Sequence, residues 1–451
     1  MTFFSRALRI SASVAVLALT ASAAFAEDYT ITVWAGGTGD NDNYRVDAIE
    51  IAADFLHREA AIRGEDLNIT IEKQTWSGWD DFKQAVTLAA ESGTAPNIIV
   101  SGHEDIGPWS QAGILRPIED YVDFDAWPLN QIFPNLIDVA SYDGQIWGIP
   151  EDSESRPFFM SKKHLKEIGY SDADIDALPG KINSGEYTLY NMLDDVKKMQ
   201  DMGVVEPGMG FAPRPSNGTD YWQFYQSFGG QMVDPTSGKL VLDKKALAGM
   251  YQFFADAVKM GVTPATYLGG DWNTWHGNVA ADKYGAWHGG TWHKAQWQRQ
   301  FELKDFFGQM TYSLIPAGNA DGRPNTITHP LMYLLSTTGS DDEAAISAEL
   351  ITIASEPRIN ALHAVKSGHL AIGKDELTVP LYANDRWSVA AAAELLPHAN
   401  SLPNRADFGI FWDAMYKGLE ASWTGTSSVE DAVNSVESAV KTGLGDNIII
   451  R

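Results

Sequence analysis

The sequence predicts an α/β protein of two domains, and three observations carry that reading. Alternating strand-like runs are followed by polar loops and then by helix-like runs, which is the repeating unit of an α/β sheet. Removing 26 leader residues from 451 leaves 425, more than one hydrophobic core usually organises. The stretch Ser141–Ser161 reads as a polar crossing between two apolar segments: Asp143-Gly144 is a hairpin signal, Gln145–Ile149 a strand, Pro150 a stop to the ladder, Glu151–Pro157 a charged link and Phe158–Met160 a new strand. The charges of such a link are expected to face the space between the domains.

The N-terminal segment has the form of a secretory signal. Arg6 and Arg9 stand in an acid-free start, Ile10–Ala21 is an apolar run too short to span a bilayer, and Ala24-Phe25-Ala26 is a small-x-small cleavage site. No later stretch has the length and hydrophobicity of a transmembrane helix, so the mature chain is expected to be exported, soluble and periplasmic. The chain has no cysteine, which excludes disulfides and a lipid on an N-terminal cysteine. In a eukaryotic secretory route Asn217-Gly218-Thr219 would be a glycosylation acceptor. The formal charge is −26, and losing the two leader arginines makes it −28. Such a polyanion argues against nucleic acid and anionic lipid as partners, because both need clustered Lys and Arg.

The elements follow in order. Tyr29–Trp34 alternates as a strand and ends in the glycine-rich loop Ala35–Asn43; Tyr44–Glu59 then carries Val46, Ile49, Ile51, Phe55 and Leu56 at helical spacing. That loop lacks the spacing of a dinucleotide fingerprint and a following lysine, so a phosphate cradle is not expected. Leu67–Lys73 is a second strand, followed by Gln74, Trp76 and Trp79. Asp80–Ala90 is a helix with Phe82, Val86 and Leu88 or Ala89 on one face. Asn97–Ser101 is a short apolar run of the kind buried in parallel sheets, followed by the polar loop Gly102–Asp105 and a helix over Ile106–Ala112.

Three stretches in this order carry a resemblance: Gly93-Thr94-Ala95-Pro96-Asn97-Ile98-Ile99, Gln111-Ala112-Gly113-Ile114-Leu115-Arg116-Pro117-Ile118-Glu119-Asp120-Tyr121, and Tyr142–Pro150. The chain resembles the extracellular solute-binding proteins of ABC importers, in the carbohydrate-binding group (family 1) that includes maltose-binding protein. Phe228–Asp234, Asn278–Trp287, Leu314–Gly318, Asp341–Pro357 and Val429–Leu444 extend the likeness over nearly all of the mature chain. Asn97 departs from the family's usual Asp, a change expected to touch strand-end packing.

The resemblance implies a two-lobe periplasmic-binding-protein fold (type II), each lobe a mixed sheet flanked by helices, with three hinge crossings. Lobe 1 would hold 27–150 plus 331–385 and lobe 2 would hold 151–330 plus 386–451, with 1–26 as signal peptide. A carbohydrate would be captured in the cleft by hinge closure and delivered, unaltered, to a membrane permease. No cofactor, metal or catalytic residue is expected, and the monomer is the default state.

A sugar offers hydroxyls that want paired acceptors and donors, and a ring face that wants a flat aromatic. The chain has 15 Trp and 16 Tyr, so only aromatics at strand ends beside polar residues are candidates. In the first lobe these are Asp40, Asn41 and Asp42 after the first strand, Trp76 after the second, and His103, Glu104 and Asp105 after the third. Glu151, Asp152 and Arg156 lie at the crossing. In the second lobe the resemblance points to Asp220, Tyr221 and Trp222, to Gly289, Gly290 and Trp292 after the strand ending at Trp287, and to Trp412 as a stacking residue; Trp272 joins them. Trp412 could instead anchor a core with Met415 and Leu419.

Two chemistries are set aside. His276, His288 and His293 show no HExxH or tight helical cluster, so zinc is not expected there. Glu151, Asp152 and Glu154 are adjacent, whereas a glycosidase pair flanks its bond from separate strands. The alternatives left standing are a receptor for a polyol or an anionic sugar derivative held by Arg156 and donors near Gly289, and a secreted enzyme acting on glycans.

Overall fold

The computed structural model describes residues 27–37 and 44–451. Its first sheet has six strands. Glu27–Ala35 (β1) lies between Leu67–Thr75 (β2) and Ile98–Gly102 (β3), parallel to both. The strand Leu331–Ser336 runs antiparallel beside β3 and also pairs with Leu115–Arg116 (β4) and Gly148–Pro150.

The sheet is covered on both faces, which is why its central strands are apolar without a break: every residue of β3 and of Leu331–Ser336 is buried. On one face Ile31, Val33, Val100 and Tyr333 pack with helices Tyr44–Arg63 and Asp341–Ala354. On the other, Ile99, Met332 and Leu334 meet Phe82 and Val86 of the helix Trp79–Glu91. The buried stripe of Tyr44–Arg63 is Val46, Ile49, Ala53, Leu56 and Ala60. Ile51 and Phe55, expected in that stripe, face solvent because a period of 3.6 carries them to the opposite side. Ala89 is the buried member of its pair and Leu88 is exposed.

Asn97 clips the first and third strands together. Its Oδ1 accepts from the Thr32 amide (2.9 Å) and hydroxyl (2.8 Å), and the Asn97 amide donates to Thr32 Oγ1 (2.9 Å). The acceptor work of a carboxylate is thus done here by an uncharged amide oxygen.

A second sheet has four strands, in the order Met310–Ser313, Phe158–Ser161, Ala286–His288, Phe211–Ala212. Phe158–Ser161 is antiparallel to both neighbours, and Ala286–His288 is parallel to Phe211–Ala212. Its core is aromatic: the Phe159 and Trp287 rings stack at 5.8 Å, with Trp297 and Trp387 nearby. Helices Lys244–Lys259, Phe408–Trp423 and Val429–Leu444 close the other side.

The hairpin at Asp143-Gly144 forms as expected, joining Ser141–Tyr142 to Gln145–Ile146 with both central residues at positive φ, 51° and 78°. Two local expectations are corrected. Trp147 interrupts the run Gln145–Ile149, and Pro150 does not stop the ladder but belongs to it, opposite Met332. A proline without a donor is tolerated at this strand end, and the next amide, Glu151, resumes the bonding to the Leu331 carbonyl at 2.8 Å.

That bond ties the first passage between the two sheets, Glu151–Pro157, to the second, where Thr326–Thr328 leads through His329-Pro330 into the Leu331 strand. Ser153 also bridges to Leu370. No helix among the described residues is long and apolar enough to cross a membrane.

Candidate functional site

A cavity of about 890 Å³ opens between the two sheets, lined by residues from both. The first lobe contributes Tyr44, Arg45, Trp79, Lys83, Glu104, His363 and His369, and the second contributes Arg214, Asn217, Trp272, His293, Trp292 and Trp412. Glu154 and Arg156 lie on its floor, at the first passage. Loops following strands supply much of the wall, the expected place for a ligand in an α/β sheet.

The floor is a chain of buried ion pairs. Arg45 donates to Glu151 (2.5 Å) and Asp152 (3.3 Å). Arg156 binds Glu154 through Nε (3.0 Å) and a terminal nitrogen (2.7 Å), and Asp220 through the other (2.6 Å). Arg214 also donates to Asp220, at 2.9 Å. Burial alone would raise the Asp220 carboxyl, but Arg156 and Arg214 hold it well below the usual carboxylate range. Glu154, with Arg156 as its bonded cation, is pushed up by burial to about 6. The charges are fixed by one another, so the floor presents oriented oxygens and N–H groups that need little rearrangement to meet a ligand.

The aromatic walls are braced by the same cations. The Arg156 guanidinium lies 5.1 Å from the Trp292 ring centroid and Arg214 lies 4.9 Å from that of Trp272. His369 stacks on Trp292 at 5.4 Å and 10°. Trp272 donates to Ser216 Oγ (3.2 Å), and Trp412 to Asn217 Oδ1 (2.7 Å). Each indole therefore has its N–H satisfied and its orientation set while the ring stays partly exposed.

Glu104 closes one end, bonded to His329 (2.6 Å) and Lys83 (2.8 Å). Burial would raise its carboxyl, but His329 and Lys83 draw it well below the ordinary value. Across the mouth Arg299 reaches Tyr44 Oη (2.8 Å) and the Lys366 carbonyl, joining the lobes.

Of the residues expected at the site, Glu104, Arg156, Trp272, Trp292 and Trp412 line this cavity. The Trp412 ring packs against Phe408 while one side faces the cavity, and Met415 and Leu419 hold the buried stripe below. Asp40, Asn41 and Asp42 lie outside the described residues.

The others are placed behind the wall, which corrects their expected role. Trp76 wedges between Trp34 and Phe82, at 4.9 and 5.4 Å. His103 is fully buried and bonds Asn404 at 2.5 Å, and Asp105 accepts from Ser101 (2.5 Å) and Lys83 (2.8 Å). Glu151, Asp152 and Asp220 hold arginines rather than the lumen. Tyr221 and Trp222 are in the core, because the helix Tyr221–Ser227 is buried on every side and Trp222 meets Phe408 and Phe411. The Gly289 and Gly290 amides are already used, by the Pro157 carbonyl (3.1 Å) and His293 Nδ1 (3.1 Å). At Gly290 a Cβ would stand 2.0 Å from the Trp292 ring, so this glycine makes room for the indole.

Arg45, Arg214, Asn217, His329, His363 and His369 were not legible as site residues. Arg214 had a weak local signal, a Pro-Arg-Pro-Ser-Asn turn after the strand Phe211–Ala212. His363 and His369 had none, since helix and turn residues just before a passage carry no pattern until the lobes are assembled.

The fold and cleft define a two-lobed receptor of the solute-binding class. The model of the bacterial extracellular solute-binding protein family matches residues 59–347, and the chain belongs to that family. Among curated proteins it is 21% identical over 359 residues to a maltotriose-binding protein of Pyrococcus abyssi, covering 79% of this chain and 70% of the relative. Among solved structures, maltose-bound MalE3 of T. maritima superposes with a TM-score of 0.73 at 18% identity, over 92% of this chain and 99% of that one. The GacH receptor of Streptomyces glaucescens, studied unliganded and with acarbose, gives 0.72 at 15%, over 93% and 99%. A solute-binding protein of Thermotoga lettingae bound with α-D-tagatose gives 0.72 at 18%, over 92% and 99%.

Proposed function

We propose that this protein is the periplasmic receptor of an ABC importer and captures a neutral mono- or oligosaccharide between its lobes for delivery to the permease. The observation that carries the reading is the pairing, within one cavity, of partly exposed indoles (Trp79, Trp272, Trp292 and Trp412) with polar groups held by buried ion pairs. Indole faces suit sugar C–H surfaces, and the free edges of Glu154, Arg156 and Asn217 suit hydroxyls. Family membership and relatives named for maltotriose, maltose, acarbose and tagatose support the same ligand class.

A neutral ligand is favoured over an anionic one by the cations of the floor. Arg45, Arg156 and Lys83 are each met by two carboxylates, so none offers a surplus charge to a second anion. On this reading the signal peptide leaves after Ala26, the mature chain carries no lipid and works as a monomer, and it turns nothing over. The lobes divide as 27–150 plus 331–385 and 151–330 plus 386–451, and the ligand stabilises the closed arrangement because it contacts both.

A thermal-shift screen of the mature chain against maltose, maltotriose, tagatose, uronic acids and polyols tests this. At least one neutral sugar raises the melting temperature, by an amount that grows with the logarithm of its concentration once that exceeds Kd. Calorimetry on Trp292→Ala then shows ~10–100-fold weaker binding, the loss of one ring stack worth ~1.5–3 kcal/mol. Shifts confined to acidic sugars, or hydrolysis products in the incubation, would overturn the assignment.

A further inference from the structure

Asp152, His363 and His369 converge at the lobe junction from distant points of the chain, and each presents one ligand atom within 4.8 Å of the others. His369 Nε2 stands 3.5 Å and His363 Nε2 3.9 Å from Asp152 Oδ2. Glu151 Oε1 adds a fourth group, 3.6 Å from His363 Nε2. All are buried, while both histidines line the cavity floor, so the cluster is enclosed on one side and reachable on the other.

Two observations point to a missing cation. His363 Nε2 and Glu151 Oε1 are buried without a hydrogen-bond partner and face each other. The other nitrogen of His363, Nδ1, lies 3.4 Å from the Tyr44 carbonyl, which can only accept. Nδ1 is therefore the donor to that carbonyl, which leaves Nε2 directed toward the two carboxylates. A backbone carbonyl that fixes the tautomer in this way is the usual outer partner of a metal-ligating histidine. Asp152 is oriented as well, since its Oδ1 accepts from the Leu331 amide at 3.1 Å and leaves Oδ2 toward the histidines.

We propose that Asp152, His363 and His369, with Glu151 as a fourth ligand, form a binding site for a divalent transition-metal ion of the zinc type. Two imidazoles and carboxylate oxygens suit zinc or cobalt better than calcium or magnesium, which prefer all-oxygen shells. The observed separations, 3.5–3.9 Å to Asp152 with all three ligand atoms within 4.8 Å of one another, exceed the roughly 3.3 Å edge of a tetrahedral site with bonds near 2.0–2.1 Å, so binding draws the ligands together by half an ångström or more. The two carboxylates supply the charge that offsets the metal's, while Arg45, paired to both, already shares that negative charge. The second histidine cluster, His103, Glu104 and His329, is a poorer candidate: Asn404 occupies His103 Nδ1, and Lys83 and His329 occupy Glu104.

The mature protein, stripped with EDTA, is titrated with Zn²⁺ by calorimetry and with Co²⁺ by visible absorption, without sugar. One equivalent binds with the intense d–d bands of low-symmetry cobalt. His369→Ala and His363→Ala each weaken binding ~100-fold or more, while His398→Ala, at an exposed position, changes nothing. Circular dichroism confirms that the variants fold, with His369→Gln as a milder substitution should alanine perturb the junction. No binding by the wild type, or binding that survives both histidine replacements, overturns the proposal; in that case His363 is an imidazolium paired with Glu151. Sugar affinity measured separately in EDTA keeps this outcome independent of the carbohydrate reading.

Discussion

Glu376 shows at single-residue scale how burial alone can write a pH dependence. It is wholly enclosed in the turn Asp375–Thr378, its Oε1 accepts one long bond from Gln131 (3.4 Å), and Oε2 has no partner. Burial pushes its carboxyl up to about 7. The native state therefore holds a proton that the unfolded chain, titrating near 4.3, has released. Its contribution is fully present below about pH 4.3 and is lost as pH rises through 7, at most ~4 kcal/mol. Glu376→Gln removes that dependence: melting curves between pH 5 and 8 should fall less with pH for the variant than for the wild type, and parallel curves would refute the assignment. Nothing in the local pattern marks this residue, because an acid in a polar turn looks solvated until the helix Pro357–Ser367 and Gln131 close over it. By contrast Trp292 and Trp412 are reached from the sequence through the family resemblance, and Trp272 through its place at the start of a helix.

At the scale of elements, local rules decided more than tertiary ones. The helix Asp341–Ala354 begins with a capping box in which Ser340 Oγ accepts from the Glu343 amide (3.1 Å) and Glu343 Oε2 accepts from the Ser340 amide (2.7 Å). Ser340→Ala should cost ~1 kcal/mol in denaturant titrations, with an unchanged slope and a wild-type cavity. A loss below the error of the extrapolation would show the cap to be idle. Strands and helices of the first lobe were readable to within a few residues for the same reason: period-2 and period-3.6 patterns are set by neighbours in the chain. The helix Tyr221–Ser227 was misread because nothing within Asp220-Tyr221-Trp222 reveals that Phe408 and Phe411 arrive from far along the chain to bury it. The metal-ligand cluster escaped for that reason too, with Asp152 and His369 separated by the whole second sheet.

At the scale of the molecule, the strand Leu331–Ser336 holds the first lobe together. It is the common neighbour of β3, β4 and Gly148–Pro150, and every one of its residues is buried. A chain ended at Pro330 keeps the residues of the second sheet but leaves β3 with one open edge and β4 and Gly148–Pro150 unpaired. Such a fragment should show no cooperative near-ultraviolet transition from the tryptophans around Trp34 and Trp79 and should aggregate, and a native-like first-lobe spectrum would disprove the dependence.

The late arrival of that strand also bears on how such a chain reaches its compartment. Because more than 330 residues must be joined before the first sheet can be completed, the growing polypeptide cannot lock its N-terminal half until about three quarters of the chain has been made. Pairings this distant in sequence form slowly, which lengthens the interval in which the polymer remains loose enough to be threaded through a narrow translocation channel. The topology that builds the cleft thereby postpones its own completion until late in the chain's synthesis.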